Sequence, residues 1–202
     1  MKRFIPLLLI IILNACQKPH YAVIVRGALV IDGTGSAGQL IDVAIAGDTI
    51  AAIGDLSRAD ADEIIDAGGQ VLAPGFIDAH SHHDWGMQGM RDMPACVSQG
   101  ITTIVVGQDG GSHIPLRKYF ADMEQQPVAV NVASYAGHNT LRDSAIVGPY
   151  NRTSTPEEIE RMKIMLAEEM DAGALGLSTG LEYDPGIYSK PDEVVALASV
   201  AA

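Results

Sequence analysis

Three histidines fall within four positions at the end of the stretch VLAPGFIDAHSHHD, residues 71–84. A strand over 75–82 alternates its side chains, so Asp78, His80 and His82 share one face and His83 takes the other. Two imidazoles spaced by one residue on one face can both reach a single cation. Zinc takes three or four nitrogen, oxygen or sulfur ligands, so His80 and His82 need partners from elsewhere in the chain.

These residues must be positioned by a scaffold, and the pattern of the chain says which. Residues 17–72 read as a small all-β, sandwich-like module. YAVIVRGALVIDG and LIDVAIAGDTIAAIG carry partly alternating, β-branched positions broken by glycine turns. After Pro74-Gly75 the pattern changes to strands alternating with helices. Strands are predicted at 75–79, 101–106, 128–134 and 174–178. The best-marked helix is 156–171, where Thr155 and Glu158 form a capping-box pair, Pro156 opens the first turn and Gly173 follows the end. Ile159, Met162, Leu166 and Met170 line one face of it. PLRKYFADMEQQ and PDEVVALASVAA are further helices. Apolar strands alternating with helices indicate a parallel sheet with helical cover. The fold class is therefore α/β: an incomplete (β/α)8 TIM-type barrel, its first four βα units over 73–202, after the small β module. In such barrels active sites lie at the C-terminal ends of the strands.

Residues 1–16 differ from the rest. Lys2 and Arg3 precede the ten-residue apolar run FIPLLLIIIL, and Asn14-Ala15-Cys16 closes it. This is the layout of an export signal, and ten residues are too few to cross a bilayer. The end is similar to a bacterial lipobox, which predicts lipidation of Cys16 and an exported, periplasmic, membrane-anchored lipoprotein. With Cys16 so used, Cys96 remains as a single thiol, with no disulfide framework. The net charge of −12 excludes nucleic acid as a partner, and leaves the lipid anchor as the route to a membrane.

APGFIDAHSHHD resembles the first metal-binding strand of the amidohydrolase superfamily. GITTIVVGQDGGS, NVASYAGHNTLR and GALGLSTGLEYDPG narrow the resemblance to the N-acyl-D-amino-acid deacylases, or D-aminoacylases, over about residues 21–202. The resemblance implies a zinc-dependent hydrolase, with one or two zinc ions, that cleaves the amide of an N-acyl-D-amino acid by attack of an activated water. It implies that His80 and His82 are the metal pair of the first strand. Where the family carries a ligand cysteine after the second strand, this chain has Asp109. Glu182 is the expected bridging carboxylate in compensation, with Asp109 as the alternative, either ligating directly or holding a ligating histidine. Tyr183 and Arg142 are candidate contacts for the small-molecule substrate. His138 is read either as orienting the substrate carbonyl or as a structural histidine. The family's catalytic aspartate and two further metal histidines correspond to positions beyond 202, so none of its proton-transfer machinery lies within this chain, and these residues alone are expected to show little hydrolysis. A cyclic-amide hydrolase of the dihydroorotase or hydantoinase kind shares the first motif, but GLSTGLEYDPG disfavours it. A non-catalytic surface lipoprotein is the remaining alternative.

Overall fold

The computed structural model describes residues 18–202; the export signal expected over 1–16 and its Cys16 lie outside the described residues. The chain is mixed α/β and divides into two compact units at Pro74–Gly75.

The first unit contains β1 (His20–Val30), β2 (Gln39–Ala46), β3 (Thr49–Gly54), β4 (Asp60–Asp66) and β5 (Val71–Leu72). They join in one mixed sheet rather than the stacked layers expected of a sandwich, with β2 and β3 antiparallel beside β1. β4 runs parallel to the first half of β1 and β5 to its second half. The change of partner comes at a register shift between Val25 and Ala28, where Gly27 adopts a left-handed φ of 65°. Ile24, Ala28 and Ala44 are fully buried.

The second unit is built on parallel strands. β6 (Phe76–Asp78) pairs with β7 (Ile101–Val106), which pairs with β8 (Asn131–Ser134). A short segment, α1 (Pro94–Val97), separates β6 from β7. β9 (Ala136–Gly137) continues β8 past Tyr135 and pairs instead with β10 (Leu177–Ser178). The third strand thus passes its ladder from one neighbour to the other: Tyr135 N–H donates to the Val106 carbonyl, and Ala136 N–H to that of Gly176. It begins at Asn131 rather than at the predicted 128 and runs on to Gly137. The strands do not close into a barrel among the described residues.

Helices cover these strands. α2 (Leu116–Gln125) follows β7, and α3 (His138–Ala145) starts directly at the end of β9. α4 (Pro156–Asp171) precedes β10, and α5 (Pro191–Ala201) follows it. The capping box of α4 is formed: Thr155 Oγ1 accepts from Glu158 N–H at 3.3 Å, and Glu158 Oε2 accepts from Thr155 N–H at 2.8 Å. Arg152 also donates to Glu158, which holds that carboxyl far down, at about 2. Met162 and Leu166 of α4 are fully buried with Ile104, Leu116, Leu141 and Leu197, forming the core that fixes the strand ends. Each such side chain contributes about 1.5–3 kcal/mol relative to exposure.

Candidate metal centre

The first strand stops hydrogen bonding as β6 at Asp78, but the chain stays aligned on β7, because Ser81 N–H donates to the Val105 carbonyl at 2.9 Å. Ser81 is buried and the histidines on either side of it are not. His80 and His82 stand with ring centroids 5.4 Å apart, edge to face. His83 turns back to share a 2.9 Å hydrogen bond with Ser81 Oγ and joins no cluster of metal-binding groups.

Across the next strand, the loop after β7 turns sharply. Gly107, Asp109 and Gly110 all have left-handed φ values, 75°, 54° and 80°. Aspartate is among the few residues besides glycine that tolerate this region. The turn directs Asp109 towards the histidine pair, its Oδ2 lying 3.4 Å from His80 Nε2 and 3.2 Å from His82 Nε2. One ligand atom from each residue fits within 4.8 Å of the others. Two imidazoles and one carboxylate, partly open to solvent, form a donor set suited to a divalent cation with free coordination positions. The residues present fit a zinc ion.

The other expected site residues lie elsewhere. Glu182, favoured above Asp109 on sequence, is exposed in the turn after β10, and its carboxylate is outside the three-residue group. Tyr183 is exposed in the same turn, with its N–H on the Gly180 carbonyl. His138, read either as orienting the substrate carbonyl or as a structural histidine, and Arg142, a candidate substrate contact, are both fully buried. β9 runs into α3 with no intervening loop, so both side chains are taken up by Glu193 in the first turn of α5. His138 donates to Glu193 at 2.8 Å, and Arg142 to both its carboxylate oxygens at 2.6 Å. Arg142 also donates to Ser154 Oγ and the Arg152 carbonyl, both at 2.9 Å. Burial alone would raise the Glu193 carboxyl, but these donors outweigh it and hold it below its ordinary range. Arg142 binds a carboxylate as its chemistry suggests, through Nη1 alone, but that carboxylate belongs to the protein.

Asp84, the last residue of the histidine motif, was assigned no role on sequence. It is 1% exposed, with Oδ2 3.4 Å from His113 Nε2. His113 is stacked on Tyr119, centroids 4.5 Å apart, and Trp85 is tilted against it at 4.9 Å. Desolvation raises the Asp84 carboxyl, and His113 opposes the rise. Nothing in the local pattern distinguished this aspartate from an exposed one, because its burial comes from residues some 30 positions later. Cys96 is buried, and burial raises its thiol further from ionisation.

Parallel strands thus present a histidine pair and a carboxylate from successive strand ends. The chain belongs to the amidohydrolase family, whose sequence profile matches residues 63–201. Its relatives there include N-acyl-D-glutamate deacylase of Alcaligenes xylosoxydans xylosoxydans, 40% identical over 89% of this chain and 41% of that protein. The crystal structure of N-acyl-D-glutamate deacylase from Bordetella bronchiseptica, complexed with zinc and a phosphonate inhibitor, superposes with a TM-score of 0.86 at 35% identity. It matches over 90% of this chain and 43% of that one. A structure of D-aminoacylase, described for its binuclear metal center, superposes at 0.81 with 35% identity over 88% and 42%. The chain thus spans about two fifths of the length of the relatives it matches.

Proposed function

We propose that this chain forms the first four βα units of a zinc-dependent (β/α)8 amidohydrolase that removes the acyl group from N-acyl-D-amino acids. The observation that carries the reading is the convergence of Asp109 on His80 and His82 from the neighbouring strand. His80, His82 and Asp109 hold the metal; Asp109 takes this role ahead of Glu182 because its carboxylate reaches both imidazoles. Zinc, when bound, supplies a Lewis acid for the amide carbonyl and brings the acidity of water close to neutrality.

The chain's own residues do the rest of the work at this end of the barrel. The alternation along the first strand keeps both imidazoles on the open side, and Ser81 between them anchors the segment to β7. The exposed turn bearing Glu182 and Tyr183 borders the strand ends and contributes substrate contacts. The buried set of His138, Arg142 and Glu193 fixes α3 against α5 and leaves substrate recognition to that turn. The leader LLLIIILNAC supports a further proposal: Cys16 carries a lipid anchor and the protein works outside the cytoplasm, in the periplasm.

The test has two arms. Zinc is titrated into this chain by calorimetry, with one tight site expected and lost in His80→Ala; stoichiometric zinc that survives His80→Ala and Asp109→Ala together refutes the metal centre. The full-length protein is then assayed for release of the free amino acid from N-acyl-D-glutamate, N-acyl-D-aspartate and an apolar N-acyl-D-amino acid, with the L-enantiomers alongside. Zinc-dependent release confined to the D-series is expected. Turnover of cyclic amides in its place would overturn the substrate class.

A further inference from the structure

We propose that Asn139 is a positioning residue for the metal-binding carboxylate: it clamps the backbone of Asp109 from both sides and thereby aims the side chain at His80 and His82. The inference rests on the reading of those three residues as a metal centre, and it concerns a residue with no contact to the metal-binding atoms themselves.

The direction of the Asp109 side chain is set by its backbone, which sits at a left-handed φ of 54°. Whatever holds peptides 109 and 110 therefore decides where the carboxylate points. On one side, the Gly110 carbonyl accepts from Asn139 N–H at 2.8 Å and from Thr140 N–H at 3.2 Å. These are first-turn donors of α3, a helix whose N-terminus has no side-chain cap. The Gly110 carbonyl takes the place of that cap. On the other side, the Asn139 side-chain amide donates to the Gly180 carbonyl at 3.2 Å. Gly180 lies directly on Asp109, since a Cβ built there would sit 2.0 Å from the Asp109 carbonyl oxygen. A Cβ on Gly110 would come within 2.7 Å of both Asn139 Cγ and the Gly180 nitrogen. Three loop ends thus meet with no room for a side chain, and Asn139 bonds to both of the segments that enclose Asp109. It is 7% exposed.

The chemistry of the position favours asparagine. Both partners are carbonyl oxygens; the main-chain donor is common to any residue but proline, and asparagine adds the side-chain N–H that reaches Gly180. Aspartate has the same shape, but it would set a buried carboxylate against a carbonyl and lose the donor. Residues that orient a metal ligand typically alter metal affinity by 10–100-fold.

A double-mutant cycle in the 202-residue chain tests this, with cobalt(II) as the probe and its visible absorption as the signature of coordination. Asn139→Ala is expected to weaken cobalt binding about tenfold or more and to change the intensity of the visible bands. In the Asp109→Ala background the same substitution is expected to change the remaining affinity by less than about twofold. An equal loss in both backgrounds, or none in either, overturns the proposal, because Asn139 then serves only the fold. Should Asn139→Ala not fold, Asn139→Ser, which keeps a shorter donor, takes its place in the cycle. Amide exchange of the metal-free protein separates this claim from the metal reading. The Gly110 N–H itself donates to Ser178 Oγ at 3.3 Å, so its exchange reports loosening of the whole turn; the substitution is expected to speed it about tenfold or more while Ile104 in β7 is unchanged. If the native chain binds no cobalt, the metal centre falls and exchange at Gly110 alone decides the clamp; unchanged exchange there overturns it.

Discussion

Two clusters in the α/β unit are made of nearly the same residue types and differ in solvation. His80, His82 and Asp109 gather at the strand ends with side chains 60%, 52% and 43% exposed. His138, Arg142 and Glu193 gather between α3 and α5 with side chains at 0–1%. In the buried set each charge has a fixed counter-charge within hydrogen-bonding distance, because an unpaired one would carry its full desolvation cost. The exposed set pairs two imidazoles with one carboxylate and leaves lone pairs for an outside ion. Burial pairs the charges of one cluster internally, and exposure leaves the other open to a ligand.

The sharpest way to break this comparison is to remove the carboxylate from each cluster. Glu193→Ala strands a buried guanidinium and imidazole, and is expected to cost about 3–5 kcal/mol. Thermal unfolding should show this as a fall of about 10 °C or more, with zinc affinity of the surviving folded protein little changed. Asp109→Ala is expected to do the reverse: roughly a 100-fold loss of zinc affinity by calorimetry, with the melting temperature of the metal-free chain held within a few degrees. Equal stability losses would mean that the exposed cluster is structural too.

An intermediate case sharpens the contrast. Glu158 is buried, but its partner Arg152 is about a third exposed. Its carboxyl is lowered from 4.5 to about 2, so the pair stabilises the fold above about pH 4.5, and that contribution is lost as pH falls towards 2. Solvent around Arg152 reduces the effect to about 1–2 kcal/mol. Acid titration of stability should show this slope in the native chain and lose it in Glu158→Gln. The smallest effect is expected at His83, adjacent to the pair but outside the cluster. His83→Ala should leave stability within about 0.5 kcal/mol and zinc stoichiometry unchanged, as checked by melting and calorimetry.

Much of the scaffold was legible because its signals are local. The strand into His80 and His82, the change of pattern after Pro74-Gly75 and the Thr155–Glu158 cap each depend on residues a few positions apart. The choice between Asp109 and Glu182 was not legible, since both follow strands and both are oxygen donors. Only the left-handed turn at 107–110 and its packing against Gly180 bring one of them to the histidines. Sequence left His138 open between orienting the substrate carbonyl and a structural role, and offered Arg142 to the substrate; the absence of a loop before α3 turns both inward. Asp84 and Asn139 gave no sign at all, for their partners lie tens of residues away.

By itself the sequence determined the α/β pattern, the histidine pair and its face, because periodicity and capping are properties of short segments. Tertiary structure alone decided which carboxylate joins that pair, and which histidine and arginine are sealed on Glu193. Those outcomes depend on distances between loops and on desolvation, which arise only when separate strand ends are packed together.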